Sequence, residues 1–184
     1  MDDISLVAVV GSLRAASINA RVLDALIAVA PEHIGLRRLD ISGVPLYNAD
    51  VEQAGHAAVD KLKSEVMDAD GLVILTPEYN MSVPAVTKNI VDWLSRPVLE
   101  GPINQQPVGL IAATPGRRGG AGAIDHLSQV LSVIAPGYFP ETLSIASFNH
   151  RLDDGRPDDD LLGEMTTWLN AFGDFVRAGA VASV

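Results

Sequence analysis

The stretch ISLVAVVGSLRAASINARVLDALIAV, residues 4–29, decides the fold. Its first seven residues, Ile4 to Val10, are apolar at nearly every position and rich in β-branched side chains, the pattern of a strand buried on both faces. Gly11 ends that run, and farther on Ile18, Val22, Leu26 and Val29 recur at helical spacing. A buried strand that passes through a short Gly/Ser loop into an amphipathic helix is the first half of a βαβ unit. It predicts a mostly parallel sheet with helices on both faces.

The alternation continues along the chain. Further strands are expected at Leu36 to Ile41, Gly71 to Thr76, Val108 to Ala113 and near Glu141 to Ala146. Helices are expected at about His56 to Ala69, Ala85 to Ser95 and Ala121 to Ile134. A last helix puts Leu161, Met165, Trp168, Phe172 and Phe175 on one stripe, which reads as core packing. Ser42 to Gly55 reads as a loop, interrupted by Gly43, Pro45 and Asn48. Arg151 to Asp160, RLDDGRPDDD, reads as a polar loop whose carboxylates are solvated and hold no metal. The expectation is one domain over residues 1–184, with five strands and five helices.

Composition narrows the function classes. The chain has 184 residues, 48% hydrophobic and 20% charged, enough for a core without disulfides or metal. With no cysteine it has no disulfide, thiolate site or cysteine nucleophile, which fits a reducing compartment and a cytoplasmic location. A net charge of −10 disfavours nucleic acid and anionic membrane surfaces. The start at Met1-Asp2-Asp3 lacks the basic opening of a secretory signal, and runs such as Leu6 to Val10 are too short to cross a bilayer.

In a parallel sheet the strand-to-helix loops emerge at one edge, and for strand order 2-1-3-4-5 those after strands one and three flank the ligand crevice. Here these loops carry unusual chemistry. Gly11-Ser12-Leu13-Arg14-Ala15-Ala16-Ser17 offers hydroxyls, a guanidinium and a helix N-terminus, the parts of a phosphate site. Ser17 reads equally as a plain N-cap and Arg14 as a surface residue. Thr76-Pro77-Glu78-Tyr79-Asn80-Met81-Ser82-Val83-Pro84 is stiffened by two prolines and suits a flat ring. Thr114-Pro115-Gly116-Arg117-Arg118-Gly119-Gly120 permits close backbone approach, with its two arginines reading as solvated. His33, His56, His126 and His150 are scattered and read as surface or capping residues.

Gly11-Ser12-Leu13-Arg14-x-x-Ser17-x-Asn19 resembles the phosphate loop of the NADPH-dependent FMN reductase family, which includes bacterial quinone, chromate and azo-dye reductases. Residues 76–96, TPEYNMSVPAVTKNIVDWLSR, are similar to that family's second signature. The resemblance extends over essentially the whole chain. It implies a flavodoxin-like three-layer sandwich and FMN as cofactor, with NADPH or NADH as co-substrate. It implies that Ser12, Arg14, Ser17 and Asn19 hold the FMN phosphate, with Leu13 and Ile18 in the same loop. Pro77, Glu78, Tyr79 and Asn80 would surround the ribityl chain and ring, and Thr114, Gly116 and Gly119 would belong to the ring pocket. It also implies a homodimer, in some members paired into a tetramer. The chain departs from the pattern at Met81, where many relatives have an aromatic residue, at Ala85-Val86-Thr87 and at Gly122, where close relatives often have arginine.

The function expected is transfer of electrons from reduced nicotinamide through the flavin N5 to a quinone, flavin or similar small acceptor. No catalytic side chain or metal is needed, because the cofactor carries the chemistry. Backbone N–H groups near Tyr79 and Gly116 are expected to stabilise charge at N1 and O2 of the reduced ring. The alternatives are a non-catalytic electron carrier and a flavin-free scaffold.

Overall fold

A computed structural model describes residues 3–179. Met1 and Asp2, on which part of the leader expectation falls, lie outside the described residues. Five parallel strands form one sheet: β1 (Ile4–Val10), β2 (Ile34–Arg38), β3 (Gly71–Thr76), β4 (Val108–Ala113) and β5 (Leu143–Ile145). Their order is β2-β1-β3-β4-β5, as expected. Every residue of β3 and β4 is buried, which is why both read as unbroken apolar runs.

Helices cover both faces and separate two cores. On one face lie α1 (Ile18–Val29) and the last helix, α7 (Asp159–Arg177), around Leu6, Val10, Val73 and Ile111. On the other lie α3 (Ala57–Met67), α4 (Ala85–Leu94) and α6 (Ala121–Ile134), with Val7, Leu72, Ile74 and Leu110. Two short helices, α2 (Ala49–Ala54) and α5 (Pro102–Gln105), complete the seven α-helices described. None of these helices is long and apolar enough to cross a membrane.

The expected five helices are thus too few, and three local expectations need correction. Residues 42–55 are not all loop: Asn48 accepts a hydrogen bond from the Asp50 N–H and starts α2, with Asp50 and Glu52 in the first turn. That helix buries no residue, so it leaves no apolar periodicity to read. β2 begins two residues before the expected Leu36 and ends at Arg38, while Leu39 and Ile41 turn into the second core. Within Arg151–Asp160 a two-stranded antiparallel hairpin forms, β6 (Leu152–Asp153) and β7 (Arg156–Pro157), before Asp158 caps α7.

The aromatic stripe of α7 does pack as core. Trp168 and Phe172 stack at 5.4 Å beside Phe139, and Phe175 reaches Phe139 from a half-buried position. The strands make room for it with glycine. A Cβ on Gly109 would stand 2.8 Å from the Trp168 ring, and one on Gly71 would crowd Leu6 at 3.1 Å and Val176 of α7 at 3.2 Å. Helix α1 presents Val22, Leu23 and Leu26 inward together with Asn19, a polar residue only 1% exposed. The Asn19 amide donates to the Ala113 carbonyl at 2.9 Å and accepts from the Ala113 N–H at 3.2 Å. It thereby ties the start of α1 to the end of β4. Asn19→Ala removes both partners of a buried backbone pair and is expected to cost about 2–3 kcal/mol. The check is the urea midpoint at unchanged m-value; a loss under about 0.5 kcal/mol would show that the pair bears little of the packing.

Candidate functional site at the carboxyl edge

The loops after β1, β3 and β4 meet at the carboxyl edge because Gly11 lets them. A Cβ there would fall 1.8 Å from the Thr87 hydroxyl of α4, so only hydrogen fits. Thr87 is itself buried and shares a 2.9 Å hydrogen bond with the Thr76 hydroxyl at the end of β3. The Gly11 N–H donates to the Leu75 carbonyl at 2.7 Å. These contacts place the 12–17 loop against the 76–82 loop.

Between them is a cleft of about 200 Å³ lined by Ser12, Arg14, Ser17, Ile18, Asn19, Pro77, Glu78, Tyr79 and Thr114, with Ala113 and Pro115. Nine of the thirteen expected site residues therefore come together there. Leu13 lies outside it, exposed on the rim of a neighbouring cleft. Asn80, Gly116 and Gly119 do not line it either.

Local folding explains the donor set. The hydroxyl of Ser17 accepts from the Ala20 N–H at 3.3 Å, capping α1, and the Ser17 carbonyl accepts from the Arg21 N–H. The N–H groups of Ile18 and Asn19, the first two of the helix, meet no acceptor among the described residues, as the geometry of a helix start dictates. Ser12 is 6% exposed and its oxygen accepts from the Arg14 N–H at 3.4 Å, leaving its hydroxyl hydrogen to donate. The Arg14 guanidinium makes no ion pair or hydrogen bond among the described residues. Hydroxyls, open amides, a guanidinium and a positive helix end converge here with no carboxylate in the loop, which is the chemistry of a phosphate site.

The second loop is organised differently from the expectation. Tyr79 and Ser82 exchange backbone hydrogen bonds of 3.0 Å, closing a tight turn in which Asn80 (φ 52°) and Met81 (φ 63°) both occupy the left-handed region. The Tyr79 N–H is thus engaged inside the turn, and the expected role for it toward a ring is corrected. Asn80 serves the turn conformation, which asparagine tolerates well. Three contacts press this turn onto α6. The Glu78 carboxylate accepts from the Gly122 N–H at 2.6 Å, the Ser82 hydroxyl meets His126 Nδ1 at 2.9 Å, and a Cβ on Gly122 would stand 2.5 Å from the Met81 carbonyl. His126 is exposed, a surface residue as expected, and its ring also meets the Ser82 hydroxyl. His56 stands at the N-cap of α3 without capping it.

In the third loop Thr114 is nearly buried and its N–H donates to Ile145, while Gly116 accepts from the Ser147 N–H and the Thr114 hydroxyl. Gly119 faces β5, not the cleft. With φ 62° and a would-be Cβ 2.2 Å from the Ser144 hydroxyl, it is required by packing.

A model of the NADPH-dependent FMN reductases matches residues 4–150, which includes all three loops. The chain belongs to this family. An NAD(P)H-dependent FMN reductase of Pseudomonas aeruginosa is 38% identical, over 89% of this chain and 90% of its own. A quinone reductase of Escherichia coli is 35% identical, over 96% of this chain and 97% of its own. Among solved structures, the flavoenzyme NAD(P)H:(acceptor) oxidoreductase FerB of Paracoccus denitrificans superposes with a TM-score of 0.85 at 27% identity, over 95% of this chain and 98% of that one.

Within the family frame, sequence reasoning had Thr87 only as part of a departure from the pattern and missed its contact with Gly11 and the clamp from α6. The glycine at 122 was visible as a departure, but only the fold shows that the Met81 carbonyl takes the space of a side chain there. Gly122→Ala is expected to displace the turn and lower stability by about 1–3 kcal/mol. Thermal unfolding checks this; an unchanged melting temperature would mean that the turn yields freely.

Proposed function

We propose that this chain is an FMN-dependent NAD(P)H oxidoreductase that passes electrons from reduced nicotinamide to quinones, flavins or similar small acceptors. The observation that carries the reading is the donor set of residues 12–19: two serine hydroxyls, with amides at the start of α1 and a guanidinium that have no partner among the described residues, all facing one cleft. These residues fit a phosphate dianion. A cleft of about 200 Å³ is smaller than the roughly 300–1,000 Å³ that encloses a whole ligand. It therefore suits the anionic tail and leaves the flat end of the cofactor at the mouth, beside the exposed Tyr79.

When bound, FMN supplies a ring that accepts hydride and passes the electrons on. The chain's own residues bind and orient it. Ser12, Ser17 and the amides of Ile18 and Asn19 donate to the phosphate, and Arg14 balances its charge. Pro77 and Glu78 give the neighbouring wall, Tyr79 offers a flat surface, and Thr114 with Pro115 closes the far side. Glu78 acts through the turn it anchors on α6. The net exchange is NAD(P)H, a proton and a quinone giving NAD(P)+ and a hydroquinone, the proton coming from solvent.

The same reading includes a cytoplasmic location and assembly as a homodimer, with tetramers as pairs of dimers. Exposed Leu46, Val98 and Leu99, all within three residues of the bonded pair Tyr47 and Arg96, supply apolar surface for association.

The test is direct. Purified protein mixed with FMN should take up the flavin and, with no partner protein, oxidise NADH or NADPH in the presence of a benzoquinone. Arg14→Ala should weaken FMN binding roughly 10- to 100-fold, the value of a charge-assisted hydrogen bond. Full FMN affinity in that variant would remove the phosphate assignment. A flavin-loaded protein that turns over neither nicotinamide would be an electron carrier.

A further inference from the structure

A second cleft, of about 470 Å³, lies on the opposite side of the 12–15 loop, between it and the end of β2. Its apolar floor includes Val10, Leu39 and Ile41, with the exposed Leu13 at its rim, and its polar wall is Arg14, Arg38 and Asp40. Both clefts share Ser12 and Arg14. Arg38 is the last residue of β2 and is exposed. Like Arg14, it makes no ion pair or hydrogen bond among the described residues, whereas its neighbour Arg37 is paired with Glu65 at 3.0 Å. In a chain of net charge −10, two unpaired guanidiniums in one cleft are a local reversal of sign.

We infer that this cleft is the seat of the adenosine ribose of the nicotinamide coenzyme, with Arg38 holding the 2′-phosphate that distinguishes NADPH from NADH. The inference rests on the oxidoreductase reading for its choice of ligand. The arrangement suits a nucleoside phosphate on three counts. The aliphatic floor is a surface for an adenine face. The position at the carboxyl end of β2, beside the phosphate loop, corresponds to the one from which dinucleotide-binding α/β sheets read a ribose. A planar guanidinium bonds phosphate in two-pronged fashion. Asp40 opposes the anion, but its Oδ1 accepts from the Ser42 N–H at 2.9 Å and its charge is offset by Lys61 as well as Arg38. Those same contacts hold its carboxyl below the usual aspartate range, so it stays ionised at neutral pH and sets an upper limit on affinity.

The experiment uses FMN-loaded protein, so that the first cradle is filled, and titrates it with adenosine 2′,5′-bisphosphate and with AMP by calorimetry. The bisphosphate should bind at least roughly tenfold tighter than AMP. Arg38→Ala should erase that difference and Arg38→Lys should keep part of it. Asp40→Asn should strengthen the bisphosphate a few-fold and leave AMP unchanged. In turnover, Arg38→Ala should raise KM for NADPH by a similar factor, with kcat and the NADH parameters unmoved. Equal binding of the two probes to the unmodified protein, or an equal loss of both in Arg38→Ala, overturns the assignment. Bisphosphate binding that needs Arg38 in a protein that oxidises neither coenzyme would uphold this site and bring down the oxidoreductase reading. Turnover of both coenzymes that ignores Arg38 would do the reverse.

Discussion

The site depends on one close approach: the end of β1 against the first turn of α4. Gly11 sits where a methyl group would overlap the Thr87 hydroxyl, and Thr87 in turn is bonded to Thr76. This contact draws the loops after β1 and β3 into a single wall. Parallel pairing of β1 with β3 brings the two loops to the same edge, but pairing alone would leave them separated by the width of side chains. Asn19 then adds β4 to the arrangement from 94 residues away in sequence. Three loops distant in the chain are thus fixed by one glycine, one hydroxyl pair and one amide.

Much of this was legible beforehand, and for physical reasons. β1, β3 and β4 are buried on both faces, so their boundaries coincide with the ends of apolar runs. Helix α6 runs over the span that its periodicity gave, Ala121–Ile134. Elements without a buried face escaped: α2 touches no core, and the β6–β7 hairpin is written in turn residues alone. The two strands at the sheet's edges, β2 and β5, were placed with shifted bounds because only part of each is covered.

At the site, residue types were informative and directions were not. Ser12, Arg14 and Ser17 could be picked out because their chemistry is unusual in a strand-to-helix loop. Whether Asn19 or Glu78 points at a ligand or at the backbone could not be read, since either use needs the same side chain. Asn19 turned out to be engaged with Ala113, and Glu78 with the start of α6. Arg38 went unnoticed for the opposite reason. In sequence it is one of two adjacent arginines, and only the fold pairs the first and leaves the second facing a cleft.

The rings of α7 and the glycines of the sheet constrain how this chain can change. Trp168 and Phe172 press onto β4 where Gly109 has no side chain to offer, and Val176 comes close to β3 at Gly71. Each partner is tolerable only because of the other: a larger residue on the strand needs a smaller one on the helix in the same lineage step. Drift on this face should therefore proceed by coupled exchanges between residues 59 or more positions apart, while the opposite face, packed by aliphatic side chains from several helices, can vary one site at a time. The face on which α1 and α7 pack is in this sense the less free of the two.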